Sequence, residues 1–470
     1  DKRLCQWNEP KTEFNPRARY MHNWNLGRLV YYKTEGQSSD RPGYTMKSRR
    51  NLCVVSQELI EDSGVSRVKT VLKDNDFKFI HTVSFYHGLK GLEFETEFIN
   101  ESAEDACLEM LSSFALDNLS PFQADDAPNK YSFHRFLGGW SMEGKHICQS
   151  AEELSLEKTW GGFNSNNEKF GSFGSYPVER YFPAAVFEDK DAGVLWAVQL
   201  AHNSTWQMEL TRADDTFSFT GGTGDRDFCG WKKIIPPGGS FKAPKAYAAV
   251  VKGDFNDACS AVCDMQKISE GRFSEDGLPI SFNEYCATWG SPTEEKMLSF
   301  CKSIKKYGVK YLVIDAGWCS EGHEQDCNGE WSIDKNIFPD MKRMNEIIRQ
   351  NGMIPGIWFE FEVTTKGSLM FEPEYDFMHL KRDGYVIKAG GFRSYWDFRR
   401  EDVREYLYEK VIKMLKDNGF GYIKVDYNAN IGIGVDGAES GAEGLRQHMS
   451  CVKEFFEKMK EELPELVIEN

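Results

Sequence analysis

YIKVDYN, residues 422–428, decides how the second half of this chain reads. Lys424 and Asp426 alternate with the apolar Ile423 and Val425, directly after a helical stretch that ends at Gly419. Such a segment reads as a parallel strand covered on both faces. Two inward charges on a buried strand need a ligand or each other, because a buried charge without a partner is costly. The same phrase of helix, glycine and strand recurs on either side. Gly308 leads into VKYLVIDAGW (309–318), Gly352 into MIPGIWFE (353–360), and a helix ending near Pro464 into LVIEN (466–470). SFNEYCATWG (281–290) opens the series, and RSYWDF (393–398) is a shorter strand within it. Ser291 and Glu294 offer a capping box for a helix whose Met297, Phe300, Cys301 and Ile304 follow a 3.6-residue period.

Strand, loop and helix in alternation signal parallel βα units. Six strands are predicted, at about residues 281, 309, 353, 393, 421 and 466. A (β/α)8 TIM-type barrel needs eight. Because Asn470 falls at the end of a predicted strand, the expectation is a truncated barrel over 271–470 whose polypeptide continues. The alternative is a six-stranded open α/β sheet complete in itself.

Upstream the pattern differs. KTVLKDNDFKFIHTVSFYHG, LEFETEFINE and RYFPAAVFEDKDAGVLWAVQLAH alternate apolar and polar residues, with Gly, Asn and Asp as breaks. This predicts an N-terminal β-sandwich over 1–253, a multidomain chain, and a helical linker over 254–270. Cys259 and Cys263 lie four apart within that helix, which puts them on one face as buried thiols.

Composition narrows the function. A net charge of −16, from 73 acidic and 57 basic residues, without a Lys/Arg-rich run, argues against nucleic acid as a partner. No apolar run approaches the roughly 20 residues that span a bilayer, so no membrane partner is expected. The chain reads as soluble, cytoplasmic or secreted, and Asp1 in place of a methionine allows for a removed leader. Twelve cysteines show no metal-binding spacing, and no metal or other cofactor is expected. Cys319 and Cys327 flank a polar loop and could pair in an oxidising compartment.

Catalytic groups of an α/β barrel sit at the C-terminal ends of its strands. Those ends carry Asp315, Trp358, Glu360, Asp397, Lys424, Asp426, Asn428 and Glu469. Carboxylates among tryptophans suit polyol recognition, since ionised oxygens accept hydrogen bonds from hydroxyls and an indole covers an apolar sugar face.

YIKVDYN resembles the YIKWDMN-type motif of glycoside hydrolase family 36, which includes α-galactosidases and α-N-acetylgalactosaminidases. GIWFEFE is similar to that family's GLWFEPE, VIDAGW to its DDGW, and GEWSIDKNIFP to its GDW-containing loop. The resemblance implies a retaining glycosidase acting on an oligosaccharide or glycoconjugate, with Asp426 as nucleophile. It further implies substrate-binding roles for Asp315, Trp358, Arg393, Lys424 and Asn428, and a possible homo-oligomer formed through the strand-rich region. The family's paired aspartates are here Asp315 and Ala316. An ordinary galactoside would lose a charged hydrogen bond there, and the change suits a sugar with a different substituent, such as galactosamine or N-acetylgalactosamine, or one without the C6 hydroxymethyl, such as β-L-arabinopyranose. The family's general acid/base is expected beyond residue 470, and Glu360, Glu362 and Glu469 do not match its position. Transglycosylation, or carbohydrate binding without catalysis, are the competing readings.

Overall fold

The structure, a computed structural model, describes residues 28–34, 36, 52–120, 127–139, 141–157, 165–213, 216–266, 268, 277–319 and 328–470. Its contacts divide the chain into two units, one of Asp1–Gly271 with Gly437–Leu445, the other of Arg272–Asp436 with Arg446–Asn470.

The first unit holds a ten-stranded and a six-stranded antiparallel sheet. Phe133 of the larger sheet meets Phe219 of the smaller edge to face at 5.4 Å, and Tyr131 meets Phe217 at 5.0 Å. Around these rings lie Phe94, Phe187, Trp206, Met208 and Leu210, all buried. The strand Val194–Ala201 is apolar almost throughout because both its faces are covered. Trp196, Val198 and Leu200 enter that aromatic core, while Leu195 and Ala197 pack under the helix Phe255–Met265 through Ala258, Ala261 and Val262. The helix therefore buries its alanine face, and the expectation of buried thiols fails: Cys259 is only partly buried and Cys263 is exposed.

The second unit is built on a curled parallel sheet of five strands, in the order Ile280–Asn283, Val309–Ile314, Ile354–Phe359, Tyr422–Val425 and Val467–Glu469. Leu312, Ile314, Ile357, Phe359, Ile423 and Val425 point into one core with the helices Glu294–Ile304, Met341–Gln350 and Glu401–Leu407. The opposite face carries Tyr311, Val313 and Tyr422, with Ile354 and Val467 against them. Gly356 is on this face because a β-carbon there would stand 2.9 Å from the Tyr422 ring and 3.0 Å from Val313.

Two sequence expectations need correction. The helix at 294 is capped by Thr293, whose hydroxyl accepts from Lys296 N–H at 3.2 Å, and not by Ser291. RSYWDF supplies no strand to the parallel sheet. Arg393–Tyr395 runs antiparallel to Val363–Thr365 and to Lys388–Ala389. The physical reason is the connection: only short 3-10 turns, Leu369–Phe371 and Pro373–Met378, separate it from the preceding parallel strand, and no covering helix makes the crossover that parallel pairing needs.

Candidate active site

Side chains alternate along a strand, so the inward face of each parallel strand can be followed to its C-terminal end. Tyr311 and Val313 lead to Asp315, Ile354 and Gly356 to Trp358, and Tyr422 to Lys424 and then Asp426. Register places Trp358 opposite Lys424. Four side chains, two carboxylates, an ammonium and an indole, thus converge from three neighbouring strands.

Asp315 is 4% exposed. Lys424 Nζ donates to its Oδ2 at 2.9 Å, Asn283 Nδ2 donates to the same oxygen, and Ala316 N–H donates to Oδ1 at 2.9 Å. Burial works to lower the Lys424 pKa, but the hydrogen bond and charge of Asp315, with the charges of Asp426 and Glu469, outweigh it and raise the value. The lysine is therefore held as a cation.

Asp426 stands one residue past its strand, and its N–H donates to Phe359 O at 2.8 Å. Trp358 Nε1 donates to Asp426 Oδ2 at 3.2 Å, and Tyr427 N–H donates to Oδ1 at 3.2 Å. Each carboxylate oxygen thus has one fixed donor. Trp358 is itself held by Trp331, edge to face at 6.1 Å, and its carbonyl accepts from Trp318 Nε1 at 2.8 Å.

Arg393 and Asn428 come together through Glu360. Glu360 Oε1 accepts from Asn428 N–H at 3.2 Å and lies 3.4 Å from Arg393 Nε, which is not aligned for a hydrogen bond, so the latter contact is an ion pair. Burial is the main cause of the raised Glu360 pKa; Arg393 and Asn428 oppose the rise, and the Asp426 charge adds to it. Glu362 is also buried, and desolvation, reinforced by Glu360, pushes its carboxyl up to about 8.

Asp397 stands apart from this cluster, held by Arg399 through two 2.8 Å hydrogen bonds, whereas Glu469 lies opposite Lys424 in the sheet, is exposed and accepts from the Tyr422 hydroxyl. Cys319 is disulfide-bonded, while Cys327 lies outside the described residues. Among the described residues no group of three His, Cys, Asp or Glu side chains could hold a metal ion, and no helix is long and apolar enough to cross a membrane.

Sequence reasoning passed over Asn283, Glu284 and Asn328. Glu284 is fully buried, and its Oε1 accepts the Asp315 N–H at 2.9 Å. Asn328 Nδ2 donates to Glu360 Oε2 at 3.2 Å. Asn283 and Glu284 close the first parallel strand, so their position at a strand end was the signal that could have found them; Asn328 carried none.

The family model described as Melibiase matches residues 240–470. The α-galactosidase Mel36A of Lactobacillus acidophilus is 23% identical over 321 residues, which cover 64% of this chain and 42% of that protein. The crystal structure of the α-galactosidase from Lactobacillus brevis aligns with a TM-score of 0.77 at 16% identity, over 93% of this chain and 60% of that one. A variant of the family 36 α-galactosidase AgaA from Geobacillus stearothermophilus, in complex with 1-deoxygalactonojirimycin, aligns with a TM-score of 0.76 at 16% identity, over 93% and 62%. The fold is therefore shared with α-galactosidases, and this chain spans less than two thirds of each of these relatives.

Proposed function

Starting from membership of the α-galactosidase-type family 36 of glycoside hydrolases, to which the Melibiase match assigns residues 240–470, we propose that this chain is the nucleophile-bearing part of a retaining α-glycosidase for terminal galactose-type sugars. On this reading the strand-rich unit is a β-sandwich and the parallel sheet is part of a (β/α)8 barrel. The observation that carries the proposal is the convergence of Asp426, Lys424, Asp315 and Trp358 at the C-terminal ends of three adjacent parallel strands.

Asp426 attacks the anomeric carbon and forms a glycosyl ester; water then attacks the same carbon from the face the leaving group vacated, giving net retention. Trp358 Nε1 and Tyr427 N–H fix the orientation of the attacking carboxylate. The Lys424 cation favours its ionised form and, with Asp315, binds hydroxyls of the sugar. Arg393 and Asn428 complete the binding set. The leaving oxygen takes up a proton from a second carboxyl group, a position that the resemblance does not give to Glu360, Glu362 or Glu469.

Stachyose and raffinose are bound by variants of Geobacillus stearothermophilus AgaA, which supports an oligosaccharide substrate. Ala316 leaves one fewer carboxylate beside Asp315. A lost charged hydrogen bond of about 1.5–3 kcal/mol would weaken galactose binding, so galactosamine, N-acetylgalactosamine and β-L-arabinopyranose belong to the same proposal. The test is hydrolysis of the four aryl glycosides by the full-length protein and its Asp426→Asn variant. Turnover of one, abolished in the variant, supports the reading; turnover that survives Asp426→Asn refutes it. Sugar binding without any turnover favours a carbohydrate-binding protein.

A further inference from the structure

Glu360 has no part in the reaction as written above, yet it is one of the most deeply placed carboxyls in the second unit, 1% exposed. Its oxygens reach three segments far apart in sequence. Oε2 accepts from Asn328 Nδ2 at 3.2 Å, Oε1 accepts from Asn428 N–H in the turn after Asp426 at 3.2 Å, and Oε1 faces Arg393 Nε of the short antiparallel strand at 3.4 Å. Taking a carboxylate and a guanidinium out of water costs several kcal/mol for each ion, and such a pair is weak evidence for stability. An apolar pair would fill the same volume, so packing alone does not account for the ions. Arg393 also stands over the ring of Phe392, its guanidinium carbon lying 4.6 Å from the ring centre. The strand that carries it is only three residues long and outside the parallel sheet, so the backbone gives the arginine little support.

We propose that Glu360 is a positioning residue that acts through Arg393, setting the direction of its guanidinium toward the substrate. This rests on the reading of Arg393 as a substrate-binding residue. Asn328 and the Asn428 turn hold the carboxylate from two other sides, so the arginine is aimed by a group that cannot itself swing.

A double-mutant cycle on the full-length protein separates this role from a structural one. Glu360→Gln keeps the shape and an acceptor for Asn428 but removes the charge that holds Arg393; Arg393→Lys keeps the charge and removes the fork. With the aryl glycoside that wild type hydrolyses, Glu360→Gln should raise KM about 10-fold while kcat changes less than about 3-fold, and adding Arg393→Lys should raise KM little further. Equal loss in kcat and kcat/KM, or effects that multiply in the double variant, would overturn the proposal. If Glu360→Gln does not fold, Glu360→Asp takes its place in the cycle, with the same split expected. Wild-type turnover together with an unchanged Glu360→Gln variant defeats the positioning role alone, whereas an inactive wild type removes the functional reading and this proposal with it.

Discussion

Replacing Glu362 by Gln should make the protein more stable at alkaline pH relative to wild type and less so at acid pH. Glu362 is 6% exposed, and its Oε2 has no hydrogen-bond partner among the described residues. Desolvation and the nearby Glu360 move its carboxyl from an ordinary 4.5 to about 8. Below the ordinary value both folded and unfolded chains carry the proton, and no penalty exists. Between there and about 8 the unfolded chain releases a proton that the folded chain keeps, so stability falls as pH rises; above that it levels off. At about 1.36 kcal/mol per pH unit, the whole window amounts to roughly 4–5 kcal/mol. Gln imposes a constant cost of about 1–3 kcal/mol for a buried amide without partners, and that cost does not vary with pH. The difference between the two urea-unfolding free energies, followed by tryptophan fluorescence across the window, should therefore swing by several kcal/mol. A flat difference would show that Glu362 is ionised in the folded protein and would refute the reasoning.

Burial acts in the opposite direction on His81 and His379, held down to about 4, and on His448, held down to about 3. Their stabilising contribution is complete above the ordinary histidine value of 6.5 and is lost as pH falls through the folded values; His448→Gln should reduce the acid slope of unfolding free energy, and an unchanged slope would contradict this. Trp358→Phe keeps a ring but removes the donor on Asp426 Oδ2, and should lower kcat about 10–100-fold by the worth of a charged hydrogen bond, measured by steady-state kinetics. Gly356→Ala, whose new methyl would press on Tyr422 and Val313, should cost about 1–3 kcal/mol in denaturant unfolding.

How much of this was legible in the sequence follows from how locally each feature is determined. The alternation of Ile423 and Val425 with Lys424 and Asp426 expresses a two-faced environment within a single strand, so the inward direction of Lys424 could be read without knowing its partner. Asp315 and Trp358 were legible as residues at the C-terminal ends of predicted strands. The placement of RSYWDF was not. Three residues contain too little pattern to distinguish parallel from antiparallel pairing, and its partner Val363–Thr365 lies across a loop whose path depends on tertiary packing. The cap failed on a smaller scale: Ser291 and Thr293 are both able to cap, and the backbone turns into the helix only after Thr293. Cys259 and Cys263 share a face as the spacing requires, but the smaller alanines take the tight contact with the sheet. Glu360 was recognised as a strand-end carboxylate, while its links to Asn328, Arg393 and Asn428 join segments that no local pattern connects.

The central claim is that Asp426 forms the covalent bond to the sugar. Incubating the full-length protein with a fluorinated galactosyl fluoride, whose electron-poor ring slows breakdown of the glycosyl ester more than its formation, allows the intermediate to be captured and mapped by peptide mass spectrometry. The account predicts one added glycosyl group on the peptide containing Asp426, absent in Asp426→Asn. A glycosyl group on any other carboxylate, with Asp426 unmodified, would contradict it.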